Sequence, residues 1–232
     1  MHTPRHTLTN FESALKALRS DVLTMAHLAR RELEEAAKGL FERDEEACQT
    51  VIADDEEVDL FEIQIDRKGV DIIMRYQPVA TDLRHVIASM KISINVERVA
   101  DQAVNIARRA RKLNRHPALP EIDSLKPMVA FTLEMFDDAF KAFEEGDLDI
   151  ARKLKSRDKE LDRMNDTLAD QFVQHMQRDP KQLPGYLHLL LVARALERIG
   201  DQCTNIAEDA VYAFTAEDIR HQVQKIPHEP KE

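Results

Sequence analysis

The sequence predicts an all-α chain built as two tandem three-helix bundles. Three observations lead there. Ala, Leu, Glu, Lys and Arg are plentiful in the 232 residues, whereas Gly is counted five times and Trp not at all; straight side chains of this kind lose little freedom in a helix. Nine prolines cluster in a few places and leave long proline-free stretches between them. The second half of the chain repeats the first. With 43% hydrophobic residues the chain has enough apolar material for a packed core.

The elements follow in order from the punctuation. A proline inside a helix costs about 3 kcal/mol, because it lacks an N–H and crowds the preceding turn. The first proline-free stretch, residues 8–77, is too long for one ordinary helix. A break near Arg43 with Asp44 as N-cap divides it into helix A, about 8–41, and helix B, 44–75. Pro78 then opens helix C, 79–113. The connector His116-Pro117-Ala118-Leu119-Pro120 follows, and beyond it A′ spans about 122–144, B′ 147–178 and C′ 184–214. The end, with Pro227 and Pro230, reads as a frayed tail. The domain reading is therefore residues 1–116, residues 121–216 and a tail, 217–232.

The repeat is explicit. Glu97-Arg98-Val99-Ala100-Asp101-Gln102-Ala103-Val104-Asn105-Ile106-Ala107 recurs one hundred residues on as Glu197-Arg198-Ile199-Gly200-Asp201-Gln202-Cys203-Thr204-Asn205-Ile206-Ala207, with seven of eleven positions identical. Upstream, Asp44 matches Asp147, Asp55 and Asp59 match Asp158 and Asp162, and Leu28, Leu33, Ala36 and Leu40 match Phe131, Phe136, Ala139 and Phe143. There the offset is 103 (147 minus 44), so three residues were lost between the two matching blocks. Short connections make sequential helices antiparallel, which gives one three-helix bundle per copy.

The formal net charge of −10 disfavours nucleic-acid binding, since an acidic surface repels phosphate backbones. It suits cations or a basic protein surface. Cys48 and Cys203 form no CxxC pair and read as neither a disulfide framework nor a zinc site. No apolar run approaches the roughly 20 residues of a membrane span, and Met1-His2-Thr3-Pro4-Arg5 leads to no apolar signal core. The expectation is a soluble cytoplasmic protein.

Carboxylates stand where a core stripe belongs. At about 100° per residue, Leu83, Val86, Ile87, Met90 and Ile94 of helix C share one face, and the same face continues as Glu97, Asp101 and Asn105. Arg84, Lys91, Asn95, Arg98 and Gln102 form the polar arc. The second copy places Glu197, Asp201, Asn205 and Glu208 in the same way, and helices B and B′ add Asp55 with Asp59 and Asp158 with Asp162, each pair four apart. A single such pair is ordinarily a solvated face or a partner for a nearby arginine, here Arg98, Arg108, Arg194 or Arg198. Duplication on an inward face shifts the reading, because buried unpaired carboxylates are costly. Oxygen donors without thiolates form a hard set that suits Mg, Mn, Ca or iron.

The helix Glu197 to Glu208, its first-copy counterpart Glu97 to Asp101, and the lead-in Gln77-Pro78-Val79-Ala80-Thr81-Asp82-Leu83-Arg84 resemble the PhoU family. The likeness of motif, spacing and duplication extends over nearly the whole chain. It implies two three-helix bundles, a cytoplasmic and often homodimeric protein, and divalent or trivalent metal ions (Fe, Mn, Mg, Zn or Ca), multinuclear in places, held by Asp55, Asp59, Glu97, Asp101, Asp158, Asp162, Glu197 and Asp201. It further implies a negative regulator of phosphate uptake and of the phosphate-starvation response, linking the ATPase subunit of a phosphate ABC transporter to a sensor histidine kinase and reaching the membrane only through these partners. One departure stands out: Arg108 sits where the second copy has Glu208, so the first site is expected to have one acid fewer and a competing cation.

Two other functions compete. A di-metal carboxylate enzyme would be expected to show Glu-x-x-His pairs, but only Asp82-x-x-His85 and Asp218-x-x-His221 occur, and there is no Gly-rich phosphate loop or nucleophile elbow. A purely structural scaffold would keep its acids in salt bridges. The expected class is non-enzymatic. His85 and His188 lie off the acid stripe. Phe131, Phe136, Phe140 and Phe143 read as core, Cys203 as packing, and the run Arg108 to Arg115 as charge favourable to a helix C-terminus, or as a docking patch for an acidic partner.

Overall fold

The computed structural model describes residues 4–219. Six α-helices run in the expected order: α1 (Pro4–Phe41), α2 (Glu45–Tyr76), α3 (Ala80–Leu113), α4 (Lys126–Glu145), α5 (Leu148–Arg178) and α6 (Leu183–Thr215). Short 3-10 turns at Pro120–Leu125 and Pro180–Gln182 precede α4 and α6, and the described residues contain no strand.

The breaks are chemical. α1 stops before Arg43, whose φ of 60° ends the helix. Asp44 then caps α2 by accepting the Ala47 N–H at 3.0 Å. The Arg43 guanidinium donates to the Asn114 and His116 carbonyls, both at 2.7 Å, and ties this turn to the end of α3. α2 ends at left-handed Gln77, immediately before Pro78. Gly146, with φ 71°, closes α4, and Asp147 caps α5 by accepting from the amides of Asp149 (3.0 Å) and Ile150 (3.1 Å). α4 begins at Lys126, later than the expected 122. Starting there puts Pro127 in the first turn, where its missing N–H breaks no helical bond. Of the expected tail, residues 217–219 follow α6, and the Glu217 N–H bonds the Thr215 hydroxyl at 3.1 Å; residues 220–232 lie outside the described residues.

Each repeat packs its three helices on one another, but the most extensive helix pair crosses between them: α3 lies against α6. Arg84 Nε donates to the Ala213 carbonyl (3.3 Å) and Lys91 Nζ to Asp209 (3.2 Å), so the two helices run antiparallel. Arg30 of α1 holds both oxygens of Asp137 on α4, and Arg19 donates to the Phe143 and Glu144 carbonyls at the end of α4. One continuous hydrophobic core results, with Leu33, Met25, Ile65, Ile92, Phe136 and Phe172 fully buried.

Because α3 is enclosed by α1, α2 and α6, its buried set is broader and rotated from the expected stripe. Ile92, Val96, Val99, Ala103 and Ile106 carry the core, while Ile94 is 37% exposed. Asn95, expected on the polar arc, is buried and donates to the Lys91 carbonyl at 3.0 Å. No helix among the described residues is long and apolar enough to cross a membrane.

The Asp147 cap is directly testable. Asp147→Ala leaves two amides at the start of α5 without an acceptor and is expected to cost about 1 kcal/mol, which lowers the thermal midpoint by roughly 2–4 °C in a chain of this size. Asp147→Asn keeps an accepting oxygen and should avoid most of the loss. Calorimetry showing equal midpoints for all three proteins would remove the cap from the account.

Candidate metal centres

The rotation of α3 decides where the acids sit. Glu97 and Asp101 lie along the rim of the groove between α2 and α3, and Glu197 and Asp201 along the corresponding rim between α5 and α6. Asp55, Asp158, Glu97 and Glu197 are half-buried, while Asp59, Asp101, Asp162 and Asp201 are exposed. The expectation that the stripe points into the bundle interior is therefore corrected to a groove edge. The reason is that neighbouring helices occupy both flanks of α3 and α6.

The carboxylates of paired helices sense one another. In the first repeat burial pushes Glu97 up to about 7, and Asp101, Glu62 and Asp59 push in the same direction. Asp55 is raised by burial and then by Asp59 and Asp101, with Arg108 opposing. In the second repeat Asp158 is pushed up to about 6, first by burial and then by Asp201, Asp162, Glu197 and Glu208. Asp201 is raised by burial and by Asp162. Glu197 Oε1 accepts from Arg194 at 2.9 Å, but its Oε2 is buried with no hydrogen-bond partner. Burial raises Glu197 as well, with Arg194 opposing. These acids carry mutual repulsion that a cation would relieve.

The second repeat explains its glycine. A Cβ at Gly200 would run into Leu161 Cδ2 and lie 3.5 Å from Asp158 Oδ1, so α6 approaches α5 closely beside this acid. The first repeat has Ala100 at this position.

The two asparagines end elsewhere. Asn105 lines a cavity with arginines, and Asn205 shares a cavity with Glu208, Lys91 and Asp209. Glu208 stands 3.9 Å from Lys155 and acts on Asp158. As they stand, no three His, Cys, Asp or Glu side chains among the described residues converge on a point that would hold an ion. An ion would have to draw the carboxylates inward. The donor set itself fits a hard cation: oxygen ligands only, a buried unpartnered Glu197 oxygen, and like charges across two helices.

Glu32 on α1 escaped the sequence reading. It is 3% exposed, and its Oε2 has no hydrogen-bond partner. Burial raises it to about 8, helped by Asp55, Asp54 and Glu57 of α2. The available signal was its place among the buried α1 residues Met25, Ala29, Leu33, Ala36 and Leu40. At the 103 offset its counterpart is Met135, and that of the half-buried Glu62 is Asn165. The expected acid deficit of the first site is thus reversed: Arg108 does act on Asp55, but Glu32 and Glu62 supply two acids that the second repeat lacks. His85 packs edge-on against Phe214, 4.9 Å between ring centres, and His188 faces Arg109, Lys112 and His116. Neither histidine joins the carboxylates. Cys48 and Cys203 are buried free thiols.

The PhoU domain family model matches the chain twice, over residues 22–110 and 125–210. The chain is 36% identical over 217 residues to the phosphate-specific transport system accessory protein PhoU of Serratia marcescens, covering 94% of this chain and 89% of that protein. Its identity to the protein of the same name from Escherichia coli (strain K12) is 32% over 217 residues, with 94% and 90% covered. The crystal structure of PhoU from Pseudomonas aeruginosa superposes with a TM-score of 0.86 at 32% identity, covering 89% of this chain and 100% of that one. The phosphate transport system regulatory protein PhoU of Streptococcus pneumoniae shares the fold, with a TM-score of 0.83 at 24% identity over 90% and 99% of the two chains. With two domain matches that coincide with its two structural repeats, the chain belongs to the PhoU family.

Proposed function

We propose that this chain is a non-enzymatic, metal-binding accessory regulator of phosphate uptake. Its relatives are named as accessory proteins of a phosphate-specific transport system, which supports placing it with a phosphate transporter. The finer reading is a negative regulator of the phosphate-starvation response that joins the transporter's ATPase subunit to a sensor histidine kinase. In this reading it acts in the cytoplasm as a homodimer and meets the membrane only through those partners. The two repeats, 1–116 and 121–216, are its working units.

One observation carries the metal part: a carboxylate row with two half-buried and two exposed acids occurs twice, each time shared by two helices. Asp55, Asp59, Glu97 and Asp101 would hold one centre, and Asp158, Asp162, Glu197, Asp201 and Glu208 the other, with Asn105 and Asn205 at the margins. A divalent or trivalent ion there would neutralise the row and clamp the two helices together. The helix faces offered to partners would then depend on occupancy.

Elemental analysis of the purified protein, wild type beside Asp101→Ala/Asp201→Ala, tests this directly. Stoichiometric Fe, Mn, Mg, Zn or Ca in the wild type, lost in the double variant, is the expected result. No metal in either protein after reconstitution would remove the metal centres. The adaptor role is checked by a pull-down with the transporter ATPase and the kinase in the presence of metal. Failure to capture either would overturn it.

A further inference from the structure

The C-terminal third of α3 carries a concentration of positive charge that the carboxylate rows do not explain. Arg108, Arg109, Arg111, Lys112 and Arg115, together with Asn105, line a cavity of about 270 Å³. The chain as a whole has 33 basic against 43 acidic residues, so five cations around one cavity run against its overall charge. Among the described residues, Arg108, Arg109, Lys112 and Arg115 make no salt bridge. Arg111 meets Glu45 only at 3.8 Å, and its buried Nε has no hydrogen-bond partner. Like charges gathered this closely repel one another, which is unfavourable unless something anionic sits among them.

Helix-end electrostatics accounts for part of the run only. Arg111 and Lys112 lie in the last turn of α3, where cations are favoured. Arg108 and Arg109 sit one turn earlier. The equivalent helix α6 ends with no basic residue in its last turn. At the offset of one hundred residues, the second copy has Glu208, Asp209, Val211, Tyr212 and Thr215 in place of the five cations. The two copies have diverged in charge at these positions while keeping the acid motif upstream, so the cations are a property of the first repeat and not of the fold.

We propose that this cavity is a binding site for a phosphoryl anion, either inorganic phosphate or the phosphate group of a small phosphomonoester. Arginine presents a planar fork that meets phosphate oxygens two at a time, and several such forks around one concavity match a compact anion of multiple charge. A cavity of this volume admits a small molecule and no duplex, and the net charge of −10 opposes a polynucleotide. Asn105 is shared between the end of the Glu97–Asp101–Asn105 row and the cavity lining, so the anion site opens beside the first carboxylate row. The inference goes beyond the metal reading and stands without it.

The test is isothermal titration calorimetry on the full-length chain in chelator at fixed chloride, titrating inorganic phosphate and, separately, adenosine monophosphate. One site per chain is expected for at least one of them. Arg109→Gln/Lys112→Gln should weaken it by about tenfold or more, since each lost charge-assisted bond is worth more than a neutral one. Arg115→Gln should weaken it in the same sense, and Lys155→Gln, in the second repeat, should leave it unchanged. Binding of inorganic phosphate assigns the free anion as ligand; binding of the monophosphate alone assigns the ester. Absence of binding for both, or binding that survives all three cavity substitutions in proteins with unchanged melting, overturns the proposal. Because chelator is present throughout, a failure of the metal centres does not register in this experiment.

Discussion

Replacing Glu32 by methionine, the residue found at the matching position 135, is expected to raise the stability of the metal-free protein sharply at alkaline pH and hardly at all in acid. Glu32 is 3% exposed, and its Oε2 has no partner. Burial and the acids of α2 raise it from 4.5 to about 8. A carboxyl held above its unfolded value binds its proton more tightly in the folded state. The contribution of Glu32 to stability is therefore fully present below about 4.5 and is lost as pH rises toward 8, after which the loss levels off. At about 1.4 kcal/mol per unit the total is on the order of several kcal/mol. At roughly 2–4 °C per kcal/mol, the Glu32→Met midpoint should exceed wild type by about 10 °C at pH 8.5 and by little near pH 5. Calorimetry in chelator at the two pH values decides it. A gain of equal size at both would mean that methionine merely packs better, and no gain at pH 8.5 would mean that Glu32 is satisfied in solution.

The same residue shows where the sequence could be read and where it could not. Helix existence and order were legible because prolines and N-caps are local signals. Asp44, Pro78 and Asp147 each act within a turn of where they stand. The repeat was legible because seven identical positions in eleven need no structure to be seen. The inward face of α3 was not. A helical wheel assumes one buried side, but α3 contacts α1, α2 and α6, and only the packing of the two repeats against each other shows that Ile94 is at the rim while Asn95 is covered. Glu32 was missed for a related reason: its acidic neighbours Asp54, Asp55 and Glu57 come from the next helix. The α3 basic run was visible as composition, but its concavity, and the fact that among the described residues Arg111 alone of its five cations makes a salt bridge, required coordinates.

Metal binding, in turn, is expected to depend steeply on pH between about 5.5 and 8. Glu97 is pushed up to about 7 and Asp158 to about 6, each chiefly by burial and then by neighbouring carboxylates. An ion binds only the deprotonated forms, so it must displace the protons these groups hold below those values. At pH 8 both rows are ionised, repulsion among them is largest, and a cation relieves the most. At pH 5.5 Glu97 and Asp158 are mostly neutral, and the ion competes with protons. With manganese at about one hundred times its dissociation constant, the folded state gains about 2.7 kcal/mol at pH 8. That corresponds to a rise in midpoint of roughly 5–10 °C. The rise should shrink to a small fraction of this at pH 5.5, and calorimetric titration in buffers of different ionisation heat should show proton release on binding near pH 6.5. Glu97→Gln/Asp158→Asn separates the two consequences of one arrangement. Removing carboxylates that repel their neighbours should make the metal-free chain more stable at pH 8, while the manganese-dependent rise falls. If the substitutions instead destabilised the metal-free chain, the acids would be structural partners. A manganese shift equal at both pH values would place the ion on other residues.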